Sequence, residues 1–139
     1  MSTRGLYTFK DQYGSFNVYK HSDNYPSGAA EAIEAAIKHA WELPRFEADE
    51  FGAAFIRGNK TSGGNLRLMP CGKPNAVANK HCSDIEYRYE IFMRASCLMI
   101  AAYSMHGVDK LTSKLIFECE RRNLHDTAAQ WETAHNNAE

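Results

Sequence analysis

From Ile85 to Met93 the chain keeps a strict period of two. Ile85, Tyr87, Tyr89, Ile91 and Met93 interleave with Glu86, Arg88, Glu90 and Phe92. That period belongs to an extended strand whose successive side chains point to opposite faces. The pattern predicts a strand over 84–93 with one buried face and one largely charged, wet face, as in an antiparallel sheet. A second, more continuously apolar strand is expected over 97–105, ended by Gly107. A chain with this pair must build a sheet, and its other segments must cover one face of it.

The N-terminal segment adds a hairpin. Leu6 to Lys10 and Ser15 to His21 are rich in Tyr, Phe, Thr and Val, with Asp11-Gln12-Tyr13-Gly14 between them. Gly14 is available for a left-handed turn position. Alternation places Phe16 and Val18 on one face, and Tyr19 and His21 on the other.

The period then changes to that of a helix. Ser27 is the expected N-cap, and Ala29, Ile33, Ile37, Ala40 and Trp41 recur at helical spacing ahead of Pro44. A second helix is expected over 48–57, with Asp49 and Glu50 in its first turn, a Phe51, Ala54 and Phe55 stripe, and a Gly58-Asn59 stop. Thr61 to Gly64 reads as a turn. Asn65 to Met69 reads as a strand with Leu66 and Leu68 inward, and residues 70–83 as a long loop. Near the C-terminus, Val108, Leu111, Leu115 and Cys119 fit helical periodicity, with Asp109 as a cap. A last short helix starting at Asp126 or Thr127 carries Trp131, and residues 135–139 are expected to fray.

The expected fold is therefore α+β: a single antiparallel sheet of about five strands in the order ββααβββα, with helices packed on one face. The 139 residues, 44% of them hydrophobic, fit one domain with one core. The net charge of −1 lacks the basic excess of a general nucleic-acid binder. No run approaches the ~20 apolar residues of a membrane span, and the first residues lack the apolar core of a secretory signal. A soluble cytoplasmic protein is expected.

Four cysteines are present. Cys97 and Cys119 lie in apolar periodic segments and are expected as buried thiols. Cys71 and Cys82 flank His81, but their spacing matches no zinc ribbon, so neither metal nor cofactor is expected. P-loop, G-x-G-x-x-G, G-x-S-x-G and H-E-x-x-H motifs are all absent.

The densest polar cluster is NVYKHSDNYPSGAAE, residues 17–31. A strand ends in Lys20 and His21, a turn follows, and a helix opens at Ser27 and Gly28. Cationic groups beside the exposed N–H groups of a helix start suit an anion. Lys20 and His21 would supply charge and hydrogen bonds, Asp23 a further polar contact, Tyr25 a stacking ring, and Ser27 and Gly28 backbone donors. Arg45 and Arg88 are the further cations expected to contribute. The plainer reading of the cluster is a solvated strand end and a capped turn.

The strings RGLYTFKD, VYKHSDNYPSGAAEAI, AWELPRFEADEFGAAF and DIEYRYEI resemble a family of small proteins encoded by phages and prophages. The resemblance spans roughly residues 4–92 and carries over no catalytic residue. It implies a phage accessory protein in a bacterial cytoplasm, of a kind that counters host defence by binding. Two partners follow from it: a small anionic, nucleotide-like signal that is sequestered, or a host defence protein that is inhibited. Sequestration favours a homo-oligomer that buries its ligand between subunits. A third reading is a signal-degrading enzyme with His21 as acid–base and Asp23 or Glu47 as helper.

Overall fold

The computed structural model describes residues 3–61, 63, 65–69, 85–106 and 112–137. Its elements are β1 (Gly5–Asp11), β2 (Gly14–Lys20), α1 (Pro26–His39), α2 (Ala48–Asn59), β3 (Leu66–Met69), β4 (Tyr87–Arg94), β5 (Cys97–His106), β6 (Thr112–Glu120), a 3-10 turn (Arg121–Asn123) and α3 (Leu124–Asn137). The class is α+β with a single sheet. That sheet has six strands in the order β3-β2-β1-β4-β5-β6.

The sheet is mixed rather than antiparallel, because β4 runs parallel to β1, with Tyr7 opposite Tyr89 and Leu6 opposite Arg88. The additional strand is β6, in a segment whose apolar spacing suggested a helix. Here backbone pairing with β5 decides. Cys119 pairs with Ile100 and Phe117 with Ala102, and a register shift follows at Ala102/Tyr103. Val108 to Leu111, with the expected cap Asp109, lie outside the described residues, as do Gly107 and the loop 70–83 with Cys71, His81 and Cys82. Ser62 and Gly64 of the expected turn lie outside them too.

Tyr7, Phe9, Val18, Tyr89, Ile91, Ile100 and Ala102 line one sheet face and pack against the helices. Phe51 and Phe55 of α2 meet Phe9 at 5.6 and 5.3 Å between ring centroids, and Phe55 meets Tyr7 at 4.5 Å. Helix α2 lies close to α1 because Gly58 has no side chain: a Cβ there would fall 2.7 Å from the Ala35 carbonyl oxygen. Asn59 locks the contact by donating to the carbonyls of Ala32 and Phe55.

Asp11, at the hairpin turn, ties two elements together. One carboxylate oxygen accepts from the N–H groups of Tyr13 and Gly14, and the other from Ala48 at the start of α2. The turn needs no left-handed glycine, and among the described glycines only Gly63 has a positive φ. Helix α3 and the 3-10 turn before it are fastened to α1: Arg121 of the turn forms a bidentate pair with Glu34, and Glu132 of α3 accepts from the Ser27 N–H.

Several local expectations change. Helix α1 begins at Pro26 with Tyr25 at the N-cap position, so Ser27 lies inside the helix rather than capping it. Proline presets the helical φ at that first position. The helix ends at His39, which leaves Trp41 outside the buried stripe and 37% exposed. Leu66 is buried, but Leu68 is 76% exposed, at the edge of the sheet. Cys97 and Cys119 are partly exposed. Helix α3 starts at Leu124, whose buried side chain joins the core.

Candidate functional site

The segment between β2 and α1 is organised by a residue that sequence reasoning treated only as part of the turn. Asn24 is fully buried. Its amide donates to the carbonyls of Thr3, Lys20 and Ser22. Its side-chain oxygen accepts from the Tyr7 hydroxyl, and its main-chain carbonyl accepts from the Tyr89 hydroxyl. Gly5 makes room, since a Cβ there would lie 2.6 Å from Asn24 Cγ. Asp23, just before, takes a positive φ of 63°, which Asp tolerates better than most residues. The turn is therefore held from below by two tyrosines and does not depend on solvent.

This anchoring places Lys20, Asp23, Ser27 and Gly28 around one cleft of about 360 Å³, with Glu31, Ala32 and Asn59 completing it. Gly28 is required by close approach: a Cβ would sit 2.1 Å from the Asp23 carbonyl oxygen. The Lys20 ammonium donates to the Ser22 carbonyl at 2.5 Å. Burial lowers its pKa and the neighbouring Asp23 carboxylate partly restores it. The Ser27 N–H is occupied by Glu132 and is not offered to the cleft. Glu31, read from sequence as a residue of the polar helix side, joins the site because it lies one turn beyond Ser27. That i,i+4 spacing was the available signal.

Tyr25, 53% exposed, is not among the residues lining the cleft and starts a row of rings that runs toward α3. It meets Tyr87 at 5.9 Å, Tyr87 meets Trp131 edge-on at 6.1 Å, and Trp131 stacks on His135 at 3.8 Å. The Tyr87 hydroxyl has its pKa pushed up to about 12 by burial first, then by Tyr25, Glu86 and Glu132.

The remaining predicted site residues are elsewhere. His21 shares a 2.8 Å hydrogen bond with the Tyr19 hydroxyl, on the face away from the helices. It is not assembled with Asp23, which lines the cleft on the helix side. Arg45 follows the C-terminal end of α1, about 20 Å along the helix from Ser27, and stacks 3.7 Å over the Trp41 ring.

Arg88 also lies on the face away from the helices, but that face is not wet at this point: the residue is 9% exposed. Its guanidinium lies 4.2 Å over the Tyr103 ring and donates to Glu90, while its Nε–H is buried without a hydrogen-bond acceptor. Glu90 also accepts from Lys10 at 2.9 Å. Burial works to raise the Glu90 pKa, but the hydrogen bonds from Lys10 and Arg88 outweigh it and hold the carboxyl low.

Among the described residues no group of three or more His, Cys, Asp or Glu is placed to hold a metal ion, and no helix is long and apolar enough to cross a membrane. The chain matches no protein-family model, no curated protein and no solved structure.

Proposed function

We propose that this chain binds a small anionic, nucleotide-type ligand and acts by holding it intact. The observation behind this reading is the pairing, in one cleft, of the Lys20 ammonium with the carboxylates of Asp23 and Glu31. An ammonium attracts phosphate oxygens. Carboxylates accept from ribose hydroxyls, as acidic residues do in dinucleotide sites. A bare phosphate would be repelled by the two carboxylates, whereas a sugar phosphate satisfies all three groups. The cleft volume of about 360 Å³ falls within the range of small-ligand sites.

In a phage accessory protein in a bacterial cytoplasm, such binding would withdraw a nucleotide signal from a host defence system. A cleft this shallow needs a second wall for tight retention, so a homo-oligomer that closes over the ligand belongs to the proposal. Native mass spectrometry of protein purified from signal-producing cells, followed by heat release, tests it. The expected result is a bound species that is released chemically unmodified at stoichiometric yield. A ligand-free spectrum, together with no calorimetric binding to cyclic and ADP-ribose nucleotides, refutes it. Release of cleaved products would favour a degrading enzyme instead.

A second reading, inhibition of a host defence protein by direct binding, draws on the edge strand β3. Leu68 is exposed there, and β3 is an edge strand of the sheet among the described residues. Such an edge suits addition of a strand from a partner. A Leu68→Lys variant that still recovers the same stoichiometric host protein would exclude that contact.

A further inference from the structure

Away from the Lys20 cleft, on the side toward α3, three aromatic rings from three different elements meet. Tyr25 comes from the turn ahead of α1, Tyr87 from β4 and Trp131 from α3. We propose that these rings, with the carboxylates of Glu86 and Glu132 beside them, form a site for an organic cation that carries a quaternary ammonium group.

The rings supply the first half of the site. Tyr25 lies 5.9 Å from Tyr87 with the planes tilted by 57°, and Trp131 lies 6.1 Å from Tyr87 at 87°. Rings at such angles bound a corner rather than a stack. A cation in that corner lies within the ~6 Å over which a ring face attracts positive charge. His135 covers one face of Trp131 at 3.8 Å and leaves the other. Core packing does not account for the arrangement, since Tyr25 is 53% exposed and both Tyr87 and Trp131 are only partly buried.

The carboxylates supply the second half. Glu86 and Glu132 both stand close enough to Tyr87 to disfavour ionisation of its hydroxyl. Among the described residues neither forms an ion pair. Glu132 accepts a hydrogen bond from the Ser27 N–H, which leaves its negative charge in place. Arg88, next along β4, points to the opposite face of the sheet. The cation on the same row of the sheet as Tyr87 is Lys114. It pairs with Ser104, which pairs with Tyr87, and so stands two strands away, about 10 Å. Two carboxylates without a paired cation, beside three rings, suit a positive ligand and disfavour an anion. A quaternary ammonium fits better than a metal ion, because its methyl groups spread the charge and it exchanges water for ring faces readily.

The sequence holds two tryptophans, Trp41 and Trp131, so the full chain carrying Trp41→Phe reports on Trp131 alone. Tetramethylammonium is titrated against it at fixed ionic strength, beside neopentyl alcohol, a neutral molecule of similar shape. The expected result is a saturable change in Trp131 emission, with tetramethylammonium binding at least about tenfold more tightly than the alcohol. Tyr25→Leu keeps apolar area but removes a ring face, and Glu132→Gln keeps an acceptor for the Ser27 N–H. Each should weaken binding about threefold or more, and thermal melts check that both variants fold. Choline and N-acetyl-trimethyllysine amide in the same assay distinguish a free molecule from a protein side chain as the source of the group, the tighter of the two identifying it. The proposal is overturned if the alcohol binds as tightly as tetramethylammonium or if no saturable change appears. It is equally overturned if folded Tyr25→Leu and Glu132→Gln proteins both bind with unchanged affinity.

Discussion

The Tyr7 hydroxyl donates a 2.6 Å hydrogen bond to the side-chain oxygen of Asn24, 17 residues away. Both groups are fully buried, so the bond fixes the β2–α1 turn to the middle of the sheet. Losing it leaves a buried polar atom without a partner, which costs more than the bond itself contributes. Tyr7→Phe is expected to destabilise by about 1–2 kcal/mol, and Asn24→Ala by roughly 2–4 kcal/mol, because several carbonyls then lose their donor. Gly5→Ala should act on the same anchor by displacing Asn24. Urea unfolding of the three variants measures the series, and an Asn24→Ala protein as stable as wild type would contradict it.

Binding and stability should separate cleanly. Lys20→Ala removes the cation of the cleft and is expected to abolish binding there, while Tyr25→Ala removes an exposed ring ahead of α1, each at a stability cost below about 1 kcal/mol. Phe55→Ala empties the core and should cost about 3–5 kcal/mol. Trp41→Ala should cost little, since that ring lies beyond the end of α1 against Arg45. Circular dichroism melts run beside a binding assay check all four.

Asp11 links stability to pH. The Ala48 N–H is the largest influence on its carboxyl and lowers the pKa. Slight burial opposes this, and the Tyr13 and Gly14 N–H groups reinforce it. The folded pKa is below the unfolded one, so the stabilisation is present above the unfolded value of about 3.9 and is lost as pH falls through the folded value. Asp11→Ala should lose about 1 kcal/mol near neutrality, the usual cost of a missing helix cap. The gap to wild type should narrow as pH falls below the unfolded carboxyl value of about 3.9. Melting temperatures of both proteins across pH 2–7 give the answer.

The β4–β5 hairpin carries improvable strain. Ala95 and Ser96 connect the paired residues Arg94 and Cys97, and both have positive φ, at 51° and 65°. Those signs belong to a type I′ turn, which favours Asn-Gly. The double substitution Ala95→Asn with Ser96→Gly is expected to stabilise by roughly 1 kcal/mol, read as a rise in melting temperature.

Two glycines should respond in opposite ways to alanine. Gly28→Ala drives a Cβ against the Asp23 carbonyl and should disrupt the cleft and lower stability. Gly14→Ala meets no atom within 4 Å and should be near neutral. Equal melting temperatures for the two variants would show that the start of α1 gives way easily.

The first hairpin, both early helices and the strands around Tyr89 and Ile100 were legible because their signals are local. Period two, period 3.6 and turn chemistry each act within a few residues. The same logic misread β6. Leu115 and Cys119 stand four apart, a spacing that also places two residues on one face of a regular strand. The bulge opposite Ala102/Tyr103 then breaks the strand alternation, and pairing with β5, not periodicity, decided the outcome.

The candidate site divides along the same line. Sequence alone brought Lys20, Asp23, Ser27 and Gly28 together, because they are neighbours along one strand-to-helix turn. Alternation already set His21 opposite Val18, and Pro44 set Arg45 beyond the end of α1, but sequence could not say which of those faces the helices cover or that Arg88 is buried against Tyr103. Those positions depend on strand order, on the parallel pairing of β1 with β4 and on which face the helices cover. Asn24 makes the same point. Its residue type announces a turn, but its role comes from hydrogen bonds to Thr3, Tyr7 and Tyr89, and such contacts exist only once distant strands lie side by side.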